Sequence, residues 1–125
     1  TLFPYTTLFR LEWQRAYDEI NDFEQQLIDR GCYVAKFWLH ISAEEQLARF
    51  QAREQTVYKQ HKITDEDYRN RERWDEYVDA VDQMVLRTTA DRAPWHVIAA
   101  NDKLYARVAT LKAVNKGLKR VLRDS

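Results

Sequence analysis

Apolar side chains recur along this chain with two different periods, and each change of period marks a new element. From Glu12 to Arg30 they fall at Trp13, Ala16, Tyr17, Ile20, Phe23 and Leu27, the spacing of one helix face. Gly31 follows as a natural C-terminal cap. Tyr33 to Ile41 is a short apolar run rich in aromatic and β-branched residues, which predicts a buried strand of a parallel sheet. Ser42 stands three residues before Glu45, a capping box that opens a helix. That helix carries Leu47 and Phe50 on one face and Arg49 and Arg53 on others. The apolar pattern then stops, and Lys59, His61 and Lys62 follow in a polar stretch.

Thr64 and Asp67 mark another helix start, with Asp65 and Glu66 suited to its positive end. The stripe Trp74, Tyr77, Val78, Val81, Met84 and Val85 carries that helix to about Thr88. Thr89 to Pro94 reads as a loop, and Trp95 to Ala100 (WHVIAA) as a second strand. Asn101 and Asp102 cap a last helix with Leu104, Val108, Leu111, Val114, Leu118 and Val121 on one side. Two strands separated by a helical excursion predict parallel neighbours in a three-layer α/β domain. Two strands alone make a poor sheet, so the expectation is an incomplete one. The first ten residues, TLFPYTTLFR, show no stripe and no alternation, and they match the translation of a common short-read sequencing adapter. They are read as a sequence artefact without a domain, which leaves 11–125 as the folding unit.

Composition narrows the function classes. A chain of 125 residues is one domain or part of one. Its 20 Lys and Arg balance 20 Asp and Glu, so no global field favours nucleic acid or a membrane surface. The distribution is uneven, because Arg49, Arg53, Lys59 and Lys62 face only one acid, Glu54, over their stretch. The lone Cys32 excludes an internal disulfide framework and fits a cytoplasmic protein; it reads as a small buried side chain. With only Gly31 and Gly117 there is neither a GxxxxGK loop nor a GxGxxG turn to cradle phosphate. His40, His61 and His96 lack metal-like spacing, so no metal site is assigned to them. The four tryptophans fall in apolar patterns and read as core.

Phosphoryl transfer asks a protein mainly for in-line positioning and for positive charge against the charge developing on the phosphoryl oxygens. Arg49, Arg53, Lys59 and Lys62, on a helix and loop after a strand, suit that task by type and place; the alternative is a solvated polar surface. Arg69 and Arg73 are one turn apart and suited to gripping one polyanion, whereas Arg71 points elsewhere. The alternative for them is pairing with Asp65, Asp67 or Glu72. Asn101, Asp102 and Lys103 lie just past the carboxyl end of a strand, where open α/β sheets bind ligands, although capping alone also explains the first two.

Four segments in order carry a family likeness: WQRAYDEINDFE (Trp13 to Glu24), KFWLHISAEEQLARFQAR (Lys36 to Arg53), KQHKITDEDYRNRERWDEY (Lys59 to Tyr77) and APWHVIAANDKLYAR (Ala93 to Arg107). Together they resemble the C-terminal half of the polyphosphate kinase 2 family. The resemblance implies the C-terminal part of a P-loop-kinase-like three-layer fold with a helical lid at about residues 53–73. It implies phosphate transfer from inorganic polyphosphate to a nucleotide with magnesium, in a protein that is a homo-oligomer when complete. Arg53, Lys59 and Lys62 match the catalytic cations of the lid; Asn101, Asp102, Lys103 and Arg107 match a motif near the nucleotide. The wording HKIT at His61 to Thr64, followed by DYRNRERWD, resembles the AMP-phosphorylating members, with ADP as the alternative acceptor. Val57 stands where related chains carry proline, and Thr88-Thr89-Ala90 where they often read TST. The family's glycine loop and acidic strand motif, which hold phosphate and most of the magnesium, precede the Trp13 helix and are not in this sequence. This polypeptide alone is therefore expected to be inactive. The competing class is a non-catalytic helical module that binds polyanions.

Overall fold

The structure is a computed structural model and describes residues 2–56 and 65–124, with side chains from Glu12 onward. The first helix, α1, spans Leu2–Asp29 and so begins ahead of the apolar stripe. The segment set aside as patternless thus has a helical backbone from Leu2. Pro4 sits in its first turn, where backbone N–H groups have no intrahelical acceptor, so the missing donor costs nothing. The end of α1 is closed as the sequence predicts. Gly31 adopts φ 89°, its N–H reaches Ile28 O at 2.9 Å, and the Cys32 N–H reaches Leu27 O at 3.0 Å. Those two bonds form a Schellman motif, in which Cys32 serves through its backbone. Its side chain is exposed rather than buried, which corrects the reading of a core cysteine.

The strand β1 (Lys36–His40) and the strand β2 (Trp95–Ala99) pair in parallel, with Lys36 opposite Trp95 and His40 opposite Ala99. Between them lie α2 (Ala43–Glu54), α3 (Asp65–Arg71) and α4 (Trp74–Thr88); α5 (Lys103–Asp124) follows β2. The α/β class with parallel strands is thus observed. Sequence periodicity had merged α3 and α4 into one helix. The structure breaks it at Glu72 and Arg73, whose N–H groups bond to the Arg69 and Asn70 carbonyls, respectively, three residues back instead of four. No glycine or proline marks the break. It arises because the two halves pack on different partners: α3 on α2, and α4 on the sheet face of Trp38, through the ring pairs Trp38–Tyr77 and Trp74–Tyr77. The predicted start at Thr64 and the basic loop before it lie outside the described residues.

Packing is firm at the amino ends of the strands. Lys36 Nζ meets Glu24 Oε2 at 2.8 Å, donates to the Thr88 carbonyl and lies 5.2 Å over the Trp95 ring. Thr88 is fully buried, and its hydroxyl donates to Met84 O at 2.6 Å while accepting from Trp95 Nε1 at 2.7 Å. One polar knot therefore joins α1, β1, α4 and β2, and within it the Lys36 ammonium, the Thr88 hydroxyl and the Trp95 N–H each have an acceptor. Asn21 adds a second tie from α1 to the Arg87 carbonyl at 2.9 Å. On α5, Gly117 marks a close approach, since a Cβ there would fall 1.7 Å from the Tyr33 hydroxyl.

Elsewhere the apolar stripes are open. Solvent reaches 10173 Å² of the chain, whereas a compact protein of its 15.0 kDa would expose about 7,000 Å². Leu86 is 70% exposed, Val97 57% and Leu111 64%, and Trp13 is exposed rather than core. The helical periods were read correctly; the burial they implied is not supplied within this chain. No described helix is long and apolar enough to cross a membrane.

Candidate functional site

In a parallel α/β sheet, ligands bind beyond the carboxyl ends of the strands. Here that edge is formed by His40 to Ser42 after β1 and by Ala100 to Lys103 after β2. The two loops are stitched together. Ala100 N donates to His40 O at 2.8 Å, continuing the ladder one step past the strands. Ser42 N donates to Asn101 Oδ1 at 2.9 Å, and Ser42 Oγ accepts from Glu45 N at 3.1 Å and from Asn101 Nδ2 at 3.4 Å.

Ser42 thus caps α2, with φ −72° and ψ 159°, as the sequence predicts. The reciprocal half of the capping box is not made by Glu45. Its carboxylate turns to Arg49, and Asn101 from the other loop takes its place on the Ser42 N–H. Asn101 therefore does not cap α5. Asp102 does so alone, accepting from Tyr105 N at 3.0 Å. Arg49 Nε donates to Glu45 Oε1 at 2.9 Å, and one terminal nitrogen donates to Ala100 O at 2.8 Å and Asn101 O at 3.2 Å.

From this root α2 and α3 rise as an antiparallel hairpin. Arg71 forks onto Ala43 O at 3.0 Å and Gln46 Oε1 at 3.2 Å near the start of α2. Toward its end, Phe50 meets Tyr68 edge to face at 5.4 Å. The Tyr68 hydroxyl is held above its ordinary value first by its hydrogen bond to Glu54, with burial and the Glu54 charge adding and Arg71 opposing. A raised folded value means this contact contributes below pH 10, the unfolded value, and is lost as pH rises through the folded one. Burial also raises the Tyr77 hydroxyl, so an ultraviolet titration should show both tyrosines ionising late, and Tyr68→Phe should remove one of the two late steps. A Tyr68 that ionises with the exposed tyrosines contradicts the contact.

The expected site residues are distributed unevenly. Arg49 and Asn101 are brought together at the strand tips, with Asp102 and Lys103 next in the chain. Arg73 stands where the helix breaks, and its guanidinium pairs with Glu76 at 2.7 Å in solvent. Among the described residues Arg53, Arg69, Lys103 and Arg107 are exposed and make no side-chain hydrogen bond or ion pair. Lys59 and Lys62 lie outside the described residues, on the segment that joins α2 to α3. A cavity of about 720 Å³ lies elsewhere, between the sheet and α4; Trp38, Trp74, Val81, Val85 and Val97 line it, and none of the expected cations among the described residues does. Sequence reasoning missed Arg71 as a hairpin strut and Lys36 as the centre of the buried knot. Lys36 had a signal: Glu24 continues the spacing Tyr17, Ile20, Leu27 at a position where an apolar residue belongs.

Among the described residues no three His, Cys, Asp or Glu side chains converge on a metal position. Asp102, the carboxylate nearest the strand tips in sequence, is committed to its helix cap. The described residues therefore do not fit the magnesium that the family resemblance implies, and no step below is routed through it.

Comparison with known proteins agrees with this geometry. The family model for polyphosphate kinase 2 matches residues 8–124. A polyphosphate:AMP phosphotransferase of Pseudomonas aeruginosa is 54% identical over 86% of this chain and 22% of its own length. That of Acinetobacter johnsonii is 50% identical over 87% of this chain and 23% of its own. An NDP-polyphosphate phosphotransferase of Ruegeria pomeroyi is 38% identical over 84% of this chain and 35% of its own. The crystal structure of a polyphosphate kinase 2 from Pseudomonas aeruginosa superposes with TM-score 0.87 and 50% identity, covering 92% of this chain and 25% of that one. One from Arthrobacter aurescens gives 0.82 and 38%, covering 89% and 40%. The chain thus spans about a quarter of the length of the polyphosphate:AMP phosphotransferases it resembles.

Proposed function

The chain belongs to the polyphosphate kinase 2 family, and from that premise we propose that it forms part of a phosphotransferase that moves a phosphoryl group from inorganic polyphosphate to AMP. An oxygen of the AMP phosphate attacks the terminal phosphorus of polyphosphate, the bridging P–O bond breaks, and the products are ADP and a chain one phosphate shorter. The observation that carries the choice of AMP is that relatives at 50–54% identity are named for AMP alone, while those named for ADP, NDP or both AMP and ADP fall between 34% and 40%.

The residues of this chain take the electrostatic part. Arg53, at the last turn of α2, presents an exposed guanidinium beside the joining segment that carries Lys59 and Lys62. In this reading the three neutralise the donor phosphates, where fixed cations stabilise charge that develops only during transfer. Lys103 and Arg107 serve the nucleotide side. The magnesium expected for such a reaction supplies further charge neutralisation when bound, held by residues other than those described. In the same proposal residues 11–125, without the first ten, are the C-terminal portion of the kinase domain, and the complete protein is cytoplasmic and homo-oligomeric.

An acceptor panel on the complete protein tests it: ADP should form from AMP faster than ATP forms from ADP, and the reverse order would assign the ADP role. The 125-residue chain alone, with polyphosphate, magnesium and AMP, should give no ADP. Turnover by the chain alone would show that it needs no other phosphate cradle.

A further inference from the structure

The residues between the strand tips and the hairpin show how the proposed lid is rooted. We infer that Arg49 is a positioning residue: its guanidinium bolts α2 to the carboxyl end of β2 and thereby sets where Arg53 stands, rather than touching phosphate itself. The inference rests on the phosphotransferase reading and replaces the phosphate contact expected for Arg49 from its type and place.

Three features carry it. The donors of Arg49 are directed inward, to Glu45 Oε1 at 2.9 Å, Ala100 O at 2.8 Å and Asn101 O at 3.2 Å. Its side chain is 26% exposed, whereas Arg53, one helical turn on, is exposed and has no described partner. Both carbonyls lie immediately after β2, so one planar group ties the helix to the loop at the strand's carboxyl end, a geometry that a lysine ammonium cannot reproduce. The Asn101–Ser42 bonds make a parallel bridge a few residues away, so α2 is fixed at its root from two sides. Loss of the bolt lets the far end of the helix drift, and a displacement of about 1 Å at reacting groups can cost roughly 100-fold in rate.

The test compares Arg49→Lys and Arg49→Gln in the complete protein. Both should lose kcat by a similar factor, roughly 100-fold by the same argument. The KM for polyphosphate and its dependence on salt should stay within about twofold, because no phosphate contact is removed. Hydrogen exchange of the unliganded protein gives a second readout. The amide of Ser42 should exchange faster in Arg49→Lys, because the loop that holds it is no longer tied. If Lys keeps most of kcat while Gln raises the polyphosphate KM about tenfold, Arg49 is a phosphate ligand and the inference fails. It fails equally if Ser42 exchange is unchanged in Arg49→Lys. If Gln does not fold, the Lys variant alone decides on the same two criteria. A wild-type protein that makes no ADP sinks the phosphotransferase reading; the exchange result still judges the bolt.

Discussion

Lys36→Met lowers the stability of the fold by about 3–5 kcal/mol, the cost of leaving one member of a buried ion pair without its partner. The two side chains are only 11% and 13% exposed, so water replaces little of what Glu24 loses. The Thr88 carbonyl and the Trp95 ring lose the same ammonium, and both belong to the joint of α1, β1, α4 and β2. Urea unfolding followed by circular dichroism reads the loss as a lower midpoint with an unchanged slope. The double variant Glu24→Leu with Lys36→Met should be more stable than either Lys36→Met or Glu24→Leu alone, because it removes the stranded charge along with the pair. A Lys36→Met protein within about 1 kcal/mol of wild type would show the pair to be as weak as a surface contact.

The joint was only half legible in the sequence. Apart from the start of α1 and the division between α3 and α4, periodicity placed the helices and both strands to within a few residues, because one apolar face must be closed whatever covers it. Glu24 interrupts such a face and Lys36 opens an apolar strand, yet nothing along the chain says that two such interruptions meet. The same limit governs Arg49, whose acceptors are backbone carbonyls at Ala100 and Asn101 and leave no trace in residue type. The break at Arg73 was invisible for a different reason. Local propensity favours continuing the helix, and only the divergent partners of α3 and α4 turn the axis. Asp102 and Ser42 were legible as caps because a cap is a local event.

Arg53→Ala and Lys62→Ala should each lower kcat of the complete protein by about 10²–10³, the range for deleting a preorganised charge that acts on the transition state. Arg53 is exposed at the end of a helix rooted by the bolt, so its removal should leave the unfolding midpoint nearly unchanged. Activity and stability should therefore separate, with Lys36→Met lowering the second and the Arg53 and Lys62 variants the first. A non-catalytic polyanion-binding module would show weaker polyphosphate binding in both cation variants and no phosphoryl transfer to lose.

The most direct measurement is steady-state ADP formation from polyphosphate and AMP by the complete protein and by its Lys62→Ala form, with folding verified by circular dichroism. The account predicts clear turnover by the first and a loss of about 10²-fold or more in the second. Equal turnover by the two proteins would contradict it, because the cations joined to this hairpin would then be surface charge with no part in the transfer.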